Sequence, residues 1–197
     1  FYVRFHLAHE YYNMEFLGRT WFAPPMPLGY AWTMTAATVP AVTLLATLVG
    51  LGFSVRDAHR AEDNRQQGTA LLWVICVFVN YAAWLSPQTP IFGGTKHWLT
   101  AYPFLCLFAG RGFEACAQPL EAALLAAWPV ARHTLARAGL EACLLAAALS
   151  PSLIGSLRAH PWGLSAYGPL VGGAPGAADL GLNRGFWGYQ TGAVVDA

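Results

Sequence analysis

Long uncharged blocks separate short polar segments along this chain. Residues 28–53 hold no charged side chain, and residues 66–95 hold no Asp, Glu, Lys or Arg, with an apolar heart at 70–85. Residues 98–115 are apolar apart from Arg111 and Glu114, and residues 138–157 apart from Glu141. A helix that crosses a bilayer needs roughly 20 predominantly apolar residues. The pattern therefore predicts an all-α polytopic membrane protein with about four transmembrane helices, over residues 28–53, 70–85, 98–115 and 138–157. Pro40 is expected to kink the first of them, which membrane helices tolerate. Arg111 and Glu114 stand three apart, so they share a helix face and can pair. Residues 120–130 are apolar but too short to span, and are expected at the interface or as an extension of the third helix.

Composition sharpens this picture. Of 197 residues, 56% are hydrophobic and 11% charged, against about 25% charged in soluble domains. Mean hydropathy is +0.41. Four soluble helices of this kind in one short chain would have almost no polar face to meet water. A net charge of +1 offers no basic field for nucleic acid. Cys76, Cys106, Cys116 and Cys143 lie in or beside apolar runs with no CxxC pair, and read as small packing residues rather than a disulfide framework or zinc site.

The arginines set an orientation. Residues 54–69 hold Arg56, Arg60 and Arg65, residues 116–137 hold Arg132 and Arg137, and residues 86–97 hold only Lys96. By the positive-inside rule the first two loops are cytoplasmic. Residues 1–27, 86–97 and 158–197 then share the outer side, and residues 28–157 form the helical region. Tyr30, Trp32, Trp84 and Trp98 fall near the outward ends, as an interfacial aromatic belt requires. Residues 158–197 are rich in Gly and Pro yet carry Trp162, Tyr167, Phe186, Trp187 and Tyr189. Disordered linkers are poor in aromatics, so an ordered, turn-rich segment that opens an extramembrane domain is expected.

Candidate chemistry gathers in those outer segments. His6, His9, Glu10, Tyr11 and Tyr12 form a set able to bind a divalent metal or a phosphate, although an amphipathic interfacial patch has the same composition. Lys96 and His97, before Trp98 and Tyr102, are expected at a helix N-terminus, where an anion such as a lipid phosphate is favoured. The bland alternative is a lysine that snorkels to headgroups. Gly93-Gly94-Thr95-Lys96 is not a phosphate-binding P-loop, because the Gly-Lys-Ser/Thr order is missing.

Three of these stretches together resemble the GT-C superfamily of membrane glycosyltransferases. The likeness is to family 39, which holds bacterial relatives of the dolichyl-phosphate-mannose–protein mannosyltransferases and the aminoarabinose transferases. The stretches are His9-Glu10-Tyr11-Tyr12 through Pro24-Pro25, Tyr30 and Pro40; Lys96-His97-Trp98 with Tyr102-Pro103; and His160-Pro161 through Tyr167, Gly172-Gly173 and Phe186-Trp187-Gly188. They occur in the family's order, and Trp98 stands where the family usually has Tyr.

The resemblance implies transfer of a sugar from a polyprenyl-phosphate donor to a protein, lipid or glycan acceptor, at the outer face of a bacterial inner membrane. It implies donor-phosphate contacts from Lys96, His97, Trp98 and Tyr102, and substrate or metal contacts from His9, Glu10, Tyr11 and Tyr30. It also implies that the chain is a fragment whose catalytic carboxylate lies upstream of Phe1. Asp57 and Asp63 fall in a loop expected in the cytoplasm and are not credible replacements. The rival classes are a transporter or channel subunit, which would place paired charges at mid-membrane, and a non-catalytic scaffold with small-xxx-small helix faces, weakly suggested by Gly50 and Gly52.

Overall fold

A computed structural model describes residues 10–60, 64–91, 93–127, 134–161, 163, 166–183 and 185. Among them the chain is mostly helical. A short hairpin, β1 (Met14–Phe16) and β2 (Arg19–Trp21), precedes helices α1 (Tyr30–Thr38), α2 (Ala41–Arg60), α3 (Asn64–Ala82), α4 (Tyr102–Ala127), α5 (Thr134–Ala159) and α6 (Gly173–Asp179). Among the described residues, three helices are long and apolar enough to cross a membrane: Ala41–Arg60, Gln67–Leu85 and Arg137–Ala159. Little of their surface is covered, and Leu45, Leu48, Leu71, Leu72, Phe78, Leu149, Leu153 and Leu157 stand exposed along them. Continuous apolar exposure on this scale suits a hydrocarbon solvent and not water.

The elements differ from the sequence pattern at several points. The stretch 28–53 is two helices rather than one kinked span. Pro40 supplies no N–H and pushes its predecessor toward extended backbone, and Val39 accordingly ends α1 at φ −81° and ψ 136°. The stretches 54–69 and 116–137 are largely helical instead of looped, because α2 runs on to Arg60, α3 starts at Asn64 and α4 continues to Ala127. Apolar residues 120–127 thus extend α4. The third expected span, α4, is long but carries Arg111, Glu114 and Glu121, and is not among the three helices that hold an uninterrupted apolar stretch long enough to cross. The N-terminal stretch expected to be loop contains the hairpin, paired antiparallel with Met14 opposite Trp21 and Phe16 opposite Arg19. Its two-residue turn holds Leu17 at φ 51° and Gly18 at φ 73°. A leucine in the left-handed region costs about 1–2 kcal/mol.

The cysteines are free, and Cys106, Cys116 and Cys143 sit on exposed helix surface rather than packed inside the chain.

The chain forms two compact units. In the second, residues 42–75 and 103–155, α2 meets α4 through glycines. A Cβ on Gly50 would fall 1.8 Å from the Phe108 carbonyl oxygen, and one on Gly112 would fall 1.9 Å from that of Ala46. Ala46 and Gly50 are thus a small-xxx-small pair, used within the chain. The Thr47 hydroxyl lies 2.8 Å from the Thr43 carbonyl oxygen and 3.1 Å from that of Leu105. Further along, Arg111 donates to Glu114 at 2.8 Å and to Asp57, which Arg56 also pairs at 2.9 Å. The expected pair is therefore part of a four-residue ion cluster that ties α2 to α4. Glu121, largely buried, pairs with Arg137 and so ties α4 to α5.

The first unit comprises the described parts of residues 1–41, 76–102 and 156–197. Its core is Trp98, Tyr30, Tyr81, Met34 and Leu182, with Met14, Phe16 and Met26 from the N-terminal segment.

Candidate functional site

The three segments expected to share one side of the membrane are woven together in the first unit. The Tyr11 hydroxyl donates to the Gln88 carbonyl at 2.6 Å, and the Met26 N–H to the Pro87 carbonyl at 2.7 Å, which joins the first segment to the second. The Gly18 N–H donates to the Gly181 carbonyl at 3.2 Å, and the Glu15 N–H to Asn183 Oδ1 at 2.9 Å, which joins the first to the third. The break at Pro40 leaves the last carbonyls of α1 without partners from the next turn. The Gly168 N–H takes one of them, bonding the Ala37 carbonyl at 2.7 Å. A Cβ on Gly168 would crowd that oxygen at 3.3 Å, so the close approach favours glycine.

A buried polar knot centres on Thr35. Its hydroxyl lies 2.8 Å from the Ala31 carbonyl, 2.7 Å from the Tyr81 hydroxyl and 3.0 Å from Trp98 Nε1. A hydroxyl has one proton and two lone pairs. Thr35 spends its proton on Ala31, so both Tyr81 and Trp98 donate to it. Aromatic packing surrounds the knot. Tyr30 stands edge-on to Phe16 at 5.2 Å and to Trp98 at 6.0 Å, while Trp32 stacks on Tyr81 at 4.3 Å.

Lys96 and His97 hang from this framework. Gly93 and Gly94 have φ of 71° and 63°, and this left-handed pair turns the chain into the 3-10 turn Gly94–His97. A second such turn, Leu99–Ala101, follows before α4 begins at Tyr102. The expected helix N-terminus at Lys96 is therefore a short 3-10 turn, and the α-helical dipole starts only at Tyr102. Lys96 is exposed, and partial desolvation lowers its pKa from the ordinary lysine value. The His97 ring lies 5.5 Å from that of Trp84, which in turn meets Trp98 at 5.4 Å. The Trp84 indole N–H and the Tyr102 hydroxyl are buried without a hydrogen-bond partner among the described residues. Buried donors are normally satisfied by protein or by ordered water.

The expected site residues thus fall into three groups. Lys96, His97 and Tyr102 gather on one short stretch beside Trp84. Trp98 and Tyr30 are core residues, 0% and 1% exposed, and burial raises the Tyr30 pKa. Glu10 and Tyr11 belong to the same unit, with Tyr11 fixed to the second segment. His9, Asp63, Trp162, Phe186 and Trp187 lie outside the described residues. Among the described residues no three His, Cys, Asp or Glu side chains form a metal-binding group. Sequence reading missed Thr35, Tyr81 and Asn183.

No family model, curated protein or solved structure matches this chain.

Proposed function

We propose that this chain is part of a glycosyltransferase of the bacterial inner membrane, which moves a sugar from a polyprenyl-phosphate donor to an acceptor at the outer face. Four helices span in this reading: α2, α3 and α5 by apolarity, and α4 with its intramembrane ions paired. One observation carries it. The three segments that hold the family-like motifs, far apart in sequence, are bonded into one unit, with Lys96 exposed on it.

The chemistry follows from charge. As the glycosidic bond breaks, negative charge grows on the departing phosphate, and a cation held beside it lowers the barrier. Lys96 supplies that cation, and His97 a second donor. The Tyr102 hydroxyl and the Trp84 N–H, lacking partners among the described residues, are suited to sugar hydroxyls. Glu10 and Tyr11 are the described residues of the first segment that this reading gives to substrate or a metal. A conduction path is the weaker alternative, since α2 has no charged residue before Arg56 and the described part of α3 has none after Arg65.

The test is photocrosslinking of a polyprenyl-phosphate probe to the protein in lipid nanodiscs. Lys96→Ala is expected to lower labelling by tenfold or more, and Lys96→Arg to retain most of it. Equal labelling of wild type and Lys96→Ala, with both inserted, would overturn the assignment.

A further inference from the structure

We propose that Trp84 is a positioning residue of the candidate donor site: its indole face holds the His97 ring as an imidazolium, so that the donor phosphate meets a second cation beside Lys96. The choice of ligand rests on the transfer reading above, and the ring contact does not. The two rings lie 5.5 Å apart and 34° from parallel, within the roughly 6 Å at which a cation is drawn to an aromatic face. Trp84 is itself held in place. It lies in a 3-10 turn, Ala83–Leu85, whose Ala83 carbonyl accepts from the Ser86 N–H and the Thr89 hydroxyl. The edge of Trp98 meets its ring at 5.4 Å. Trp98 is fully buried, with its indole N–H on Thr35. A chain of fixed contacts thus runs from Thr35 through Trp98 and Trp84 to the half-buried His97.

The residue type supports this role. The Trp84 N–H is buried without a partner among the described residues, a cost that phenylalanine at this place would not carry. What indole offers over phenylalanine is the strongest face for a cation among the aromatic side chains. The second segment supplies no other negative partner, because residues 76–102 hold no Asp or Glu. The described carboxylates of the unit, Glu10, Glu15 and Asp179, belong to the first and third segments. Lys96, on the same turn, opposes protonation of His97. Tyr30 on α1, which packs against that turn, Tyr81 on α3 and Tyr102 on α4 are neutral near physiological pH. The indole face therefore offsets the repulsion from Lys96 and lets two adjacent cations face one anion.

The test uses a prenyl methyl phosphodiester and the full chain in a maltoside micelle, which carries no phosphate. A diester keeps one charge at every pH used, whereas a monoester titrates near pH 6 itself. The probe has no sugar, so it reads the indole face apart from any bond that the Trp84 N–H makes to a sugar. Wild-type affinity is expected to rise threefold or more as pH falls through about 6.5. Trp84→Phe should keep most of that rise, and Trp84→Leu and His97→Gln should lose it. Without the probe, the His97 imidazole is followed by NMR of isotope-labelled histidine, with His97→Gln for assignment. It should titrate about half a unit lower in Trp84→Leu than in wild type. Identical His97 titrations in the two proteins would overturn the proposal, as would a rise in affinity that survives His97→Gln. A Trp84→Phe protein as weak as Trp84→Leu would also overturn it, by assigning the role to the indole N–H. A wild type that ignores the probe at every pH would sink the transfer reading alone, and the NMR titration would still decide the ring contact.

Discussion

Gly50 and Gly112 meet where α2 crosses α4, each without room for a single added carbon against the other helix's backbone. Such contacts leave packing and close-range dispersion to hold helices together where lipid removes the hydrophobic drive. Gly50→Val or Gly112→Val should therefore destabilise the second unit by about 1–3 kcal/mol. Gly52, with nothing near its Cβ position, is the control. Gly52→Ala should be neutral or stabilising by roughly 0.5–1 kcal/mol. Thermal unfolding in mild detergent reads both. A Gly50→Val protein as stable as wild type would contradict the crossing.

The knot at Thr35 gives a second prediction. Thr35→Val keeps the shape but leaves the Tyr81 and Trp98 donors buried without an acceptor, at about 1–3 kcal/mol for each unsatisfied group. Thr35→Ser keeps the oxygen and should cost much less. Tryptophan emission should change in Thr35→Val alone, because the Trp98 indole loses its partner.

Tyr167 predicts a pH dependence. Its hydroxyl donates to the Asn183 carbonyl at 2.6 Å, and burial raises its pKa from 10.0 to about 12. The protonated form is thus favoured by folding. That contribution is fully present below about pH 10 and is lost as pH climbs through about 12. Tyr167→Phe should lower stability at neutral pH and flatten the alkaline loss. An identical alkaline profile in wild type and Tyr167→Phe would assign the transition elsewhere.

Membrane sidedness is checked by cysteine labelling. In a cysteine-free background, His59→Cys and Ala174→Cys should react with an impermeant maleimide from opposite sides, as the arginine distribution requires. Reaction from one side would refute the orientation.

Much of the helical layout was legible because a long uncharged block has few stable forms in lipid. The ends were less so. Arg56, Asp57 and Arg60 looked like loop, yet they are good enough helix residues to prolong α2. Polarity marks where a helix leaves hydrocarbon, not where it stops. Pro40 looked like a kink and proved a break, since a segment more than a hundred residues away supplies the donor that makes the break stable. Lys96 and His97 were picked as candidates by residue type. Their 3-10 setting was hidden because it depends on the positive φ of Gly93 and Gly94, which a glycine pair permits but does not dictate. Thr35 was invisible because its importance arises from Tyr81 and Trp98, distant partners that no local pattern brings to it.

The bond from Gly168 to the end of α1 carries a lesson about biogenesis. A ribosome delivers α1 early and Gly168 late, after α2 to α5 have been made. Until then the carbonyl of Ala37 waits for its native donor. Assembly of this region is consequently a closing step, and truncation ahead of Gly168 would leave it unfinished.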